Sequence, residues 1–93
     1  SGISGYTASI VAKKLREISL SHQILCITHL PQIAAAGDHN YKIYKESDNA
    51  ATFTHLECLD DDTKVMEIAR LMGGATITDN TLASAKELID NQI

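Results

Sequence analysis

Residues 24 to 32 read Ile-Leu-Cys-Ile-Thr-His-Leu-Pro-Gln, and this stretch decides the fold that we predict. Its first four residues are apolar without alternation, which favours a strand that is buried on both faces. We place this strand at Gln23 to Thr28. Strands buried in this way belong to parallel sheets with helices on both sides, so the chain is expected to be an α/β protein.

The residue that follows this strand is the first candidate for function. Ligands of α/β proteins collect at the carboxyl ends of parallel strands, which is where His29 would lie. An imidazole there can hydrogen-bond a terminal phosphate or an attacking water. The alternative is a structural histidine that caps a short helix starting at Pro31. Spacing alone leaves both interpretations open.

Helical patterns lie on both sides of the strand. Residues 7 to 19 alternate apolar and charged side chains in a way that predicts an amphipathic helix. With the strand, this helix makes half of a βαβ unit, whose first strand is expected before Ser1. A short helix should run from Pro31 to Ala36 and end at Gly37 in the left-handed conformation.

A β-hairpin is predicted in the middle of the chain. Its strands are expected at Tyr41 to Glu46 and Thr52 to Leu59. Five residues rich in turn formers connect them.

Two further helices are predicted after the hairpin. The first is expected to be capped by Asp62 or Thr63 and to stop at Gly73-Gly74. The second is expected to be capped by Thr78 or Asp79 and to continue to the end of the chain.

Composition indicates one small acidic domain. The chain has 93 residues, a formal net charge of −4 and a sequence pI of about 5.4, so it offers no basic field for nucleic acid. It contains no apolar run of about 20 residues and no secretory leader, which predicts a cytoplasmic protein without a membrane contact. Because Ser1 opens a loop-like segment, we interpret residues 1–93 as a single fragment of a longer protein.

The cysteines and histidines do not predict a metal site. Cys26 and Cys58 are expected to be buried thiols rather than a disulfide. No compact C-x-x-C or H-x-x-x-H pair occurs among the possible ligands, which are His22, Cys26, His29, His39, His55 and Cys58.

Charged pairs on the helices are expected to be solvated. Lys13, Lys14 and Arg16 form a small basic cluster that could touch an acidic partner, although a solvent-exposed face is the commoner case. Glu67 and Arg70 are spaced as a surface ion pair.

The first five residues, Ser1-Gly2-Ile3-Ser4-Gly5, are a second candidate site. Their glycines let backbone N–H groups approach a ligand, and a helix N-terminus follows. An ordinary flexible entry fits equally well. The segment is not a G-x-x-x-x-G-K-[ST] phosphate loop, and no Gly-Lys pair occurs in the chain.

Four segments, in this order, resemble a known family: residues 1–5, 24–34, 67–74 and 85–88. Thr-His-Leu-Pro-Gln and Leu-Met-Gly-Gly are their most specific parts. The chain resembles, over essentially its whole length, the C-terminal end of the RecN family of bacterial DNA repair proteins. That family lies in the SMC-like branch of the ABC-type ATPases.

This resemblance implies the C-terminal lobe of a P-loop ABC/SMC-type ATPase head, with parallel core strands, flanking helices and a β-hairpin. His29 would match the switch histidine that senses the γ-phosphate of ATP. The residues Ser1, Gly2, Ile3, Ser4 and Gly5 would match the D-loop, which lies at the interface when two heads enclose ATP and Mg²⁺.

The resemblance also implies that this piece does not act alone. Walker A, Walker B and signature motifs are not found in the sequence, so the remainder of the head and a second head of a homodimer would complete the site. The fragment by itself is expected to be inactive and to hold no cofactor. The parent would bind DNA, act in double-strand break repair and associate with the nucleoid in the cytoplasm.

Two rival interpretations come from other functional classes. In the first, the hairpin and the C-terminal helix form a non-catalytic protein-interaction module, and His29 is structural. In the second, the chain is a small metal-binding domain.

Overall fold

The part of the chain that the computed structural model describes, residues 4–73 and 76–92, contains four helices and one β-hairpin. In chain order the elements are α1 (Gly5–Ser19), α2 (Pro31–Ala35), β1 (Tyr41–Ser47), β2 (Thr52–Cys58), α3 (Asp61–Gly73) and α4 (Asp79–Asp90). The chain is thus a small α/β unit, as predicted. None of the described helices is long and apolar enough to cross a membrane.

The segment predicted as the core strand is not part of a sheet in the described residues. The only sheet found there has two antiparallel strands, and no backbone hydrogen bond joins residues 23–29 to a neighbour. Leu25 is 90% exposed and Ile27 is 93% exposed, so the prediction of burial on both faces is wrong for this chain. A strand exists only when its N–H and C=O groups are paired, and no described segment is hydrogen-bonded to the backbone of this one.

Helix α1 begins two residues earlier than predicted. Its cap is Ser4, whose Oγ accepts a hydrogen bond from the backbone N–H of Thr7 at 3.2 Å. Ala8 and Ala12 are buried on the face of α1 that points into the molecule. Small side chains at this spacing let a neighbouring element approach closely.

Helix α2 starts at Pro31, as predicted, but it ends differently. Its last residue is Ala35 and its C-cap is Ala36 in the right-handed helical region. Gly37 does not adopt the left-handed conformation that we predicted. Side chains from other elements bind the carbonyl groups at this helix end, so a Schellman-type glycine turn is not needed to satisfy them.

The predicted hairpin is confirmed with small changes in its limits. Tyr41 pairs with Cys58 and Ser47 pairs with Thr52, which leaves a connection of residues 48–51. The Asp48 carboxylate accepts hydrogen bonds from the N–H groups of Ala50 at 2.8 Å and Ala51 at 2.9 Å. These hydrogen bonds lower the pKa of Asp48.

The two C-terminal helices carry side-chain caps. Asp60, rather than Asp62 or Thr63, caps α3: its Oδ1 accepts from the N–H of Thr63 at 2.8 Å, and Thr63 Oγ1 accepts from the N–H of Asp60 at 2.8 Å. This reciprocal pair is a capping box. Thr78 caps α4, as predicted, and accepts from the N–H of Thr81 at 3.1 Å.

The hydrophobic core lies where α2, α3 and α4 meet. Its buried members are Ala35, Ile68, Ala69 and Ala85. Ile68 is the only large side chain among the described residues that is fully buried, so these helices are held close by small side chains.

A network of three charges ties the hairpin to α3. Arg70 donates two hydrogen bonds to the Glu67 carboxylate, at 2.8 and 2.6 Å, and Lys42 Nζ lies 3.8 Å from Glu67 Oε1. The Glu67 side chain is only 17% exposed. The hydrogen bonds from Arg70 lower the pKa of Glu67, and the charges of Arg70 and Lys42 act in the same direction.

We therefore expect Glu67→Gln to lower the free energy of unfolding by about 1 kcal/mol at pH 7. Because the pKa of Glu67 is lowered in the folded state, its contribution is present above the ordinary value of 4.5 and is lost as the pH falls through the lower folded-state pKa. Urea denaturation at pH 7 and below pH 4 measures this difference. Glu87→Gln removes the same charge from an exposed position on α4 and is the control. An equal effect of Glu67→Gln at both pH values would contradict the prediction.

Candidate functional site

His29 is exposed and lies between α2 and residues 23–28, which we call the unpaired segment because their backbone has no strand partner in the described residues. Its imidazole forms no hydrogen bond within residues 4–73 and 76–92. It does not cap α2, because the N-cap is Leu30 and no side chain caps that helix. The local bend is instead held by Thr28, whose Oγ1 accepts from the N–H of Leu30 at 3.0 Å. The ring is therefore free to donate or accept a hydrogen bond with a ligand.

The second predicted site segment lies next to the helix that follows His29. Gly5 begins α1, and a β-carbon added to it would lie 3.1 Å from Nε2 of Gln32, in the first turn of α2. The structure thus brings the start of α1 together with the start of α2. Ser4 and Gly5 are the described members of this predicted segment, and the predictions for Ser1, Gly2 and Ile3 lie outside the described residues.

Three side chains converge on the other end of α2. Arg16 Nη1 donates to the carbonyl oxygen of Ala36 at 2.6 Å, Lys64 Nζ donates to that of Gly37 at 2.7 Å, and Asn40 Nδ2 donates to that of Ala34 at 2.7 Å. We call Arg16, Asn40 and Lys64 the α2 clamp. It joins α1, α3 and the loop before β1 to one short helix.

The electrostatics of the α2 clamp suit its position. The carbonyl end of a helix carries partial negative charge, so two cations stabilise it. Partial burial lowers the pKa of Lys64, while the charges of Asp38 and Asp61 act in the opposite direction. Arg16 Nη1 also lies 3.4 Å from Oδ1 of Asp38.

The sequence interpretation missed the α2 clamp. It placed Arg16 in a solvated basic cluster with Lys13 and Lys14, and it gave Lys64 and Asn40 no role. A signal was present for both cations. Arg16 continues the buried row of Ala8 and Ala12 at helical spacing, and Lys64 lies four residues before buried Ile68.

The cysteines and possible metal ligands are dispersed. Cys26 and Cys58 are free and exposed, so the prediction of buried thiols is wrong. Cys26 is exposed because it lies in the unpaired segment, and Cys58 because it lies in a hairpin whose side chains are largely exposed. No group of three or more His, Cys, Asp or Glu side chains in the described residues is arranged to hold a metal ion.

Comparison with known proteins identifies relatives along almost the whole chain. It is 48% identical over 88 residues to the DNA repair protein RecN of Vibrio cholerae, which covers 95% of this chain and 16% of that protein. Identity to the RecN of Haemophilus influenzae is 45% over 89 residues, covering 96% and 16%. Identity to the RecN of Bacillus subtilis is 43% over 88 residues, covering 95% and 15%.

No protein-family model matches the chain. The chain spans 15 to 16% of the length of these three relatives, so the match concerns one segment of them. At 43 to 48% identity over nearly all of this chain, common ancestry is the only reasonable explanation. The chain is therefore homologous to a segment of 88 to 89 residues of the bacterial DNA repair protein RecN.

Proposed function

We propose that this chain is the C-terminal lobe of the ATPase head of a RecN-like protein that binds and hydrolyses ATP in DNA double-strand break repair. One observation carries the proposal. The start of α1, which follows the predicted D-loop, lies against the start of α2, which follows the predicted switch histidine, through the contact between Gly5 and Gln32. Two separate parts of one nucleotide site have to lie side by side in this way.

The exposed segment supports the same proposal. Leu25 and Ile27 project from a backbone without strand partners, and two such side chains are costly to leave in water. In the parent protein, strands from the remainder of the head would pair with residues 23–28 and bury them in a parallel sheet. His29 would then lie at the carboxyl end of a core strand, where ligands of such sheets bind.

The residues present fit a contribution to a phosphate site rather than a complete one. The exposed imidazole of His29 can donate a hydrogen bond to a terminal phosphate oxygen, while Ser4 and Gly5, at the exposed start of α1, could contact a second head. ATP with Mg²⁺, when bound, supplies the phosphoanhydride bond that is broken. The chain holds no phosphate loop, so the remainder of the head has to bind the other phosphates.

We expect 1 mM ATP with Mg²⁺ to raise the melting temperature of the full-length protein by several degrees. A ligand at about 100 times its Kd stabilises the protein that binds it by about 2.7 kcal/mol. The 93-residue chain tested alone should show no shift, because it lacks a phosphate loop. AMP at the same concentration is the control for unspecific nucleotide effects. A full-length protein that does not respond to ATP and does not hydrolyse it would exclude the ATPase proposal.

A second candidate function has an observation of its own. One face of the hairpin presents Tyr41, Ile43 and Leu56, which are all exposed. Such a face suits a non-catalytic protein-interaction module. If ATP neither binds nor is hydrolysed, this alternative becomes the better interpretation.

A further inference from the structure

We propose that the α2 clamp positions His29: its three donors bind one carbonyl group in the last turn of α2 and those of the two residues after it, and thereby fix the residue that stands just before the first turn. This inference rests on the proposed function, since it assigns positioning residues to the same site.

Helix α2 is short and has no side-chain cap at its start. Helix α2 has five residues, Pro31–Ala35, and no side-chain hydrogen bond caps its N-terminal end. Helices shorter than about 12 residues are marginal on their own in water. The placement of α2 therefore depends on contacts with other elements.

The body of α2 packs through the methyl groups of Ala34 and Ala35 against the core formed with α3 and α4. A methyl group gives little resistance to sliding or rotation. The three directed hydrogen bonds at the carbonyl end, from 2.6 to 2.7 Å, fix the axis and the register of the helix.

The orientation of Asn40 in the α2 clamp is unfavourable for one of its own atoms. Asn40 Oδ1 is buried and has no hydrogen-bond partner in the described part of the chain. A buried unpaired acceptor is unfavourable. The amide is held in this orientation because its Nδ2 binds the carbonyl of Ala34.

Helix α2 links the α2 clamp at its carbonyl end to His29 at its start. A five-residue helix is only about 8 Å long, so a tilt at its carbonyl end displaces its other end by a similar amount. His29 comes two residues before Pro31, and the bend between them is already fixed by Thr28. Loss of a clamp residue should therefore move the imidazole while all groups that touch nucleotide remain present.

The test uses Arg16→Gln and Lys64→Gln in the full-length protein. Hydrogen–deuterium exchange of the backbone amides at positions 33 to 37 is expected to become about tenfold faster in each variant, since each loses a charged hydrogen bond to the helix. Lys14→Gln removes the same charge from the same helix as Arg16. Within the described residues the Lys14 ammonium group pairs only with Glu17, so exchange should not change. Unchanged exchange in both clamp variants would overturn the proposal.

The rate of ATP turnover distinguishes a role in positioning His29 from a purely structural role. Arg16→Gln is expected to reduce kcat about tenfold with little change in the KM for ATP. In a His29→Ala background the same substitution should cause no further loss, because the clamp acts through that imidazole. A further tenfold loss in that background would overturn the positioning role.

The two proposals fail in different ways. If the full-length protein does not hydrolyse ATP, the proposed function is wrong, and the exchange experiment still shows whether the clamp holds α2. If hydrolysis depends on His29 but not on Arg16 or Lys64, the clamp proposal is wrong and the proposed function stands.

Discussion

Replacement of His29 by alanine in the full-length protein is expected to reduce ATP hydrolysis by about 100-fold or more while the protein remains folded. Positioned groups that bind or transfer protons in the transition state contribute about 10²- to 10⁴-fold. The imidazole is exposed and makes no hydrogen bond within the described residues, so its removal leaves no buried group unpaired. The loss should therefore appear in kcat and not in the melting temperature.

The controls show whether the loss of turnover is specific to His29 or follows from removal of any exposed histidine. His22→Ala removes an exposed ring whose partner is the neighbouring Ser21, and turnover should not change. His29→Gln retains hydrogen-bonding groups at the site and should keep more activity than His29→Ala. Near-normal turnover of His29→Ala would exclude the sensor role. A collapse in melting temperature would indicate a structural role instead.

The second large effect is expected at Ile27. In the full-length protein, Ile27→Asp should prevent folding of the head or lower its melting temperature by about 10 °C or more, because it places a carboxylate inside the proposed sheet. Ile27 is 93% exposed in the chain described above, so its surroundings in this structure do not predict harm. Leu56→Asp is the matched control: Leu56 is a 67% exposed hairpin residue opposite Ile43 and should tolerate the change. Equal tolerance at both positions would exclude burial of residues 23–28 by the parent.

Thiol labelling tests the same burial without a substitution. Cys26 and Cys58 are both exposed here, so both should react in the 93-residue chain. In the native full-length protein, Cys26 should be protected and Cys58 should still react. Mass spectrometry of the labelled peptides gives the extent of reaction at each cysteine.

The helices and the hairpin could be predicted from sequence because their causes are local. The amphipathic spacing of α1, the proline at the start of α2 and the Thr78 cap of α4 all operate within a few residues. Errors of one to three residues arose where two neighbouring polar residues could both act as a cap, as with Asp60 and Asp62.

The strand could not be placed from sequence alone for the opposite reason. The apolar side chains of residues 24–27 favour a buried position, whereas strand pairing depends on which other strands are present. The same limit applies to the candidate site. His29 was identifiable from its place at the end of an apolar run, but the contact between Gly5 and Gln32 joins residues that are distant in sequence.

The alanines of the core have a mechanical consequence. Ala35, Ala69 and Ala85 have no rotatable side-chain bonds, so at these three positions of the interface a displacement cannot be absorbed by a change of rotamer. The hairpin contacts α3 through the Lys42–Glu67 pair, and Lys64 of α3 binds the carbonyl group of Gly37 just after α2. Displacements of α2 are therefore restrained by the directed hydrogen bonds of the α2 clamp rather than by interlocking side chains.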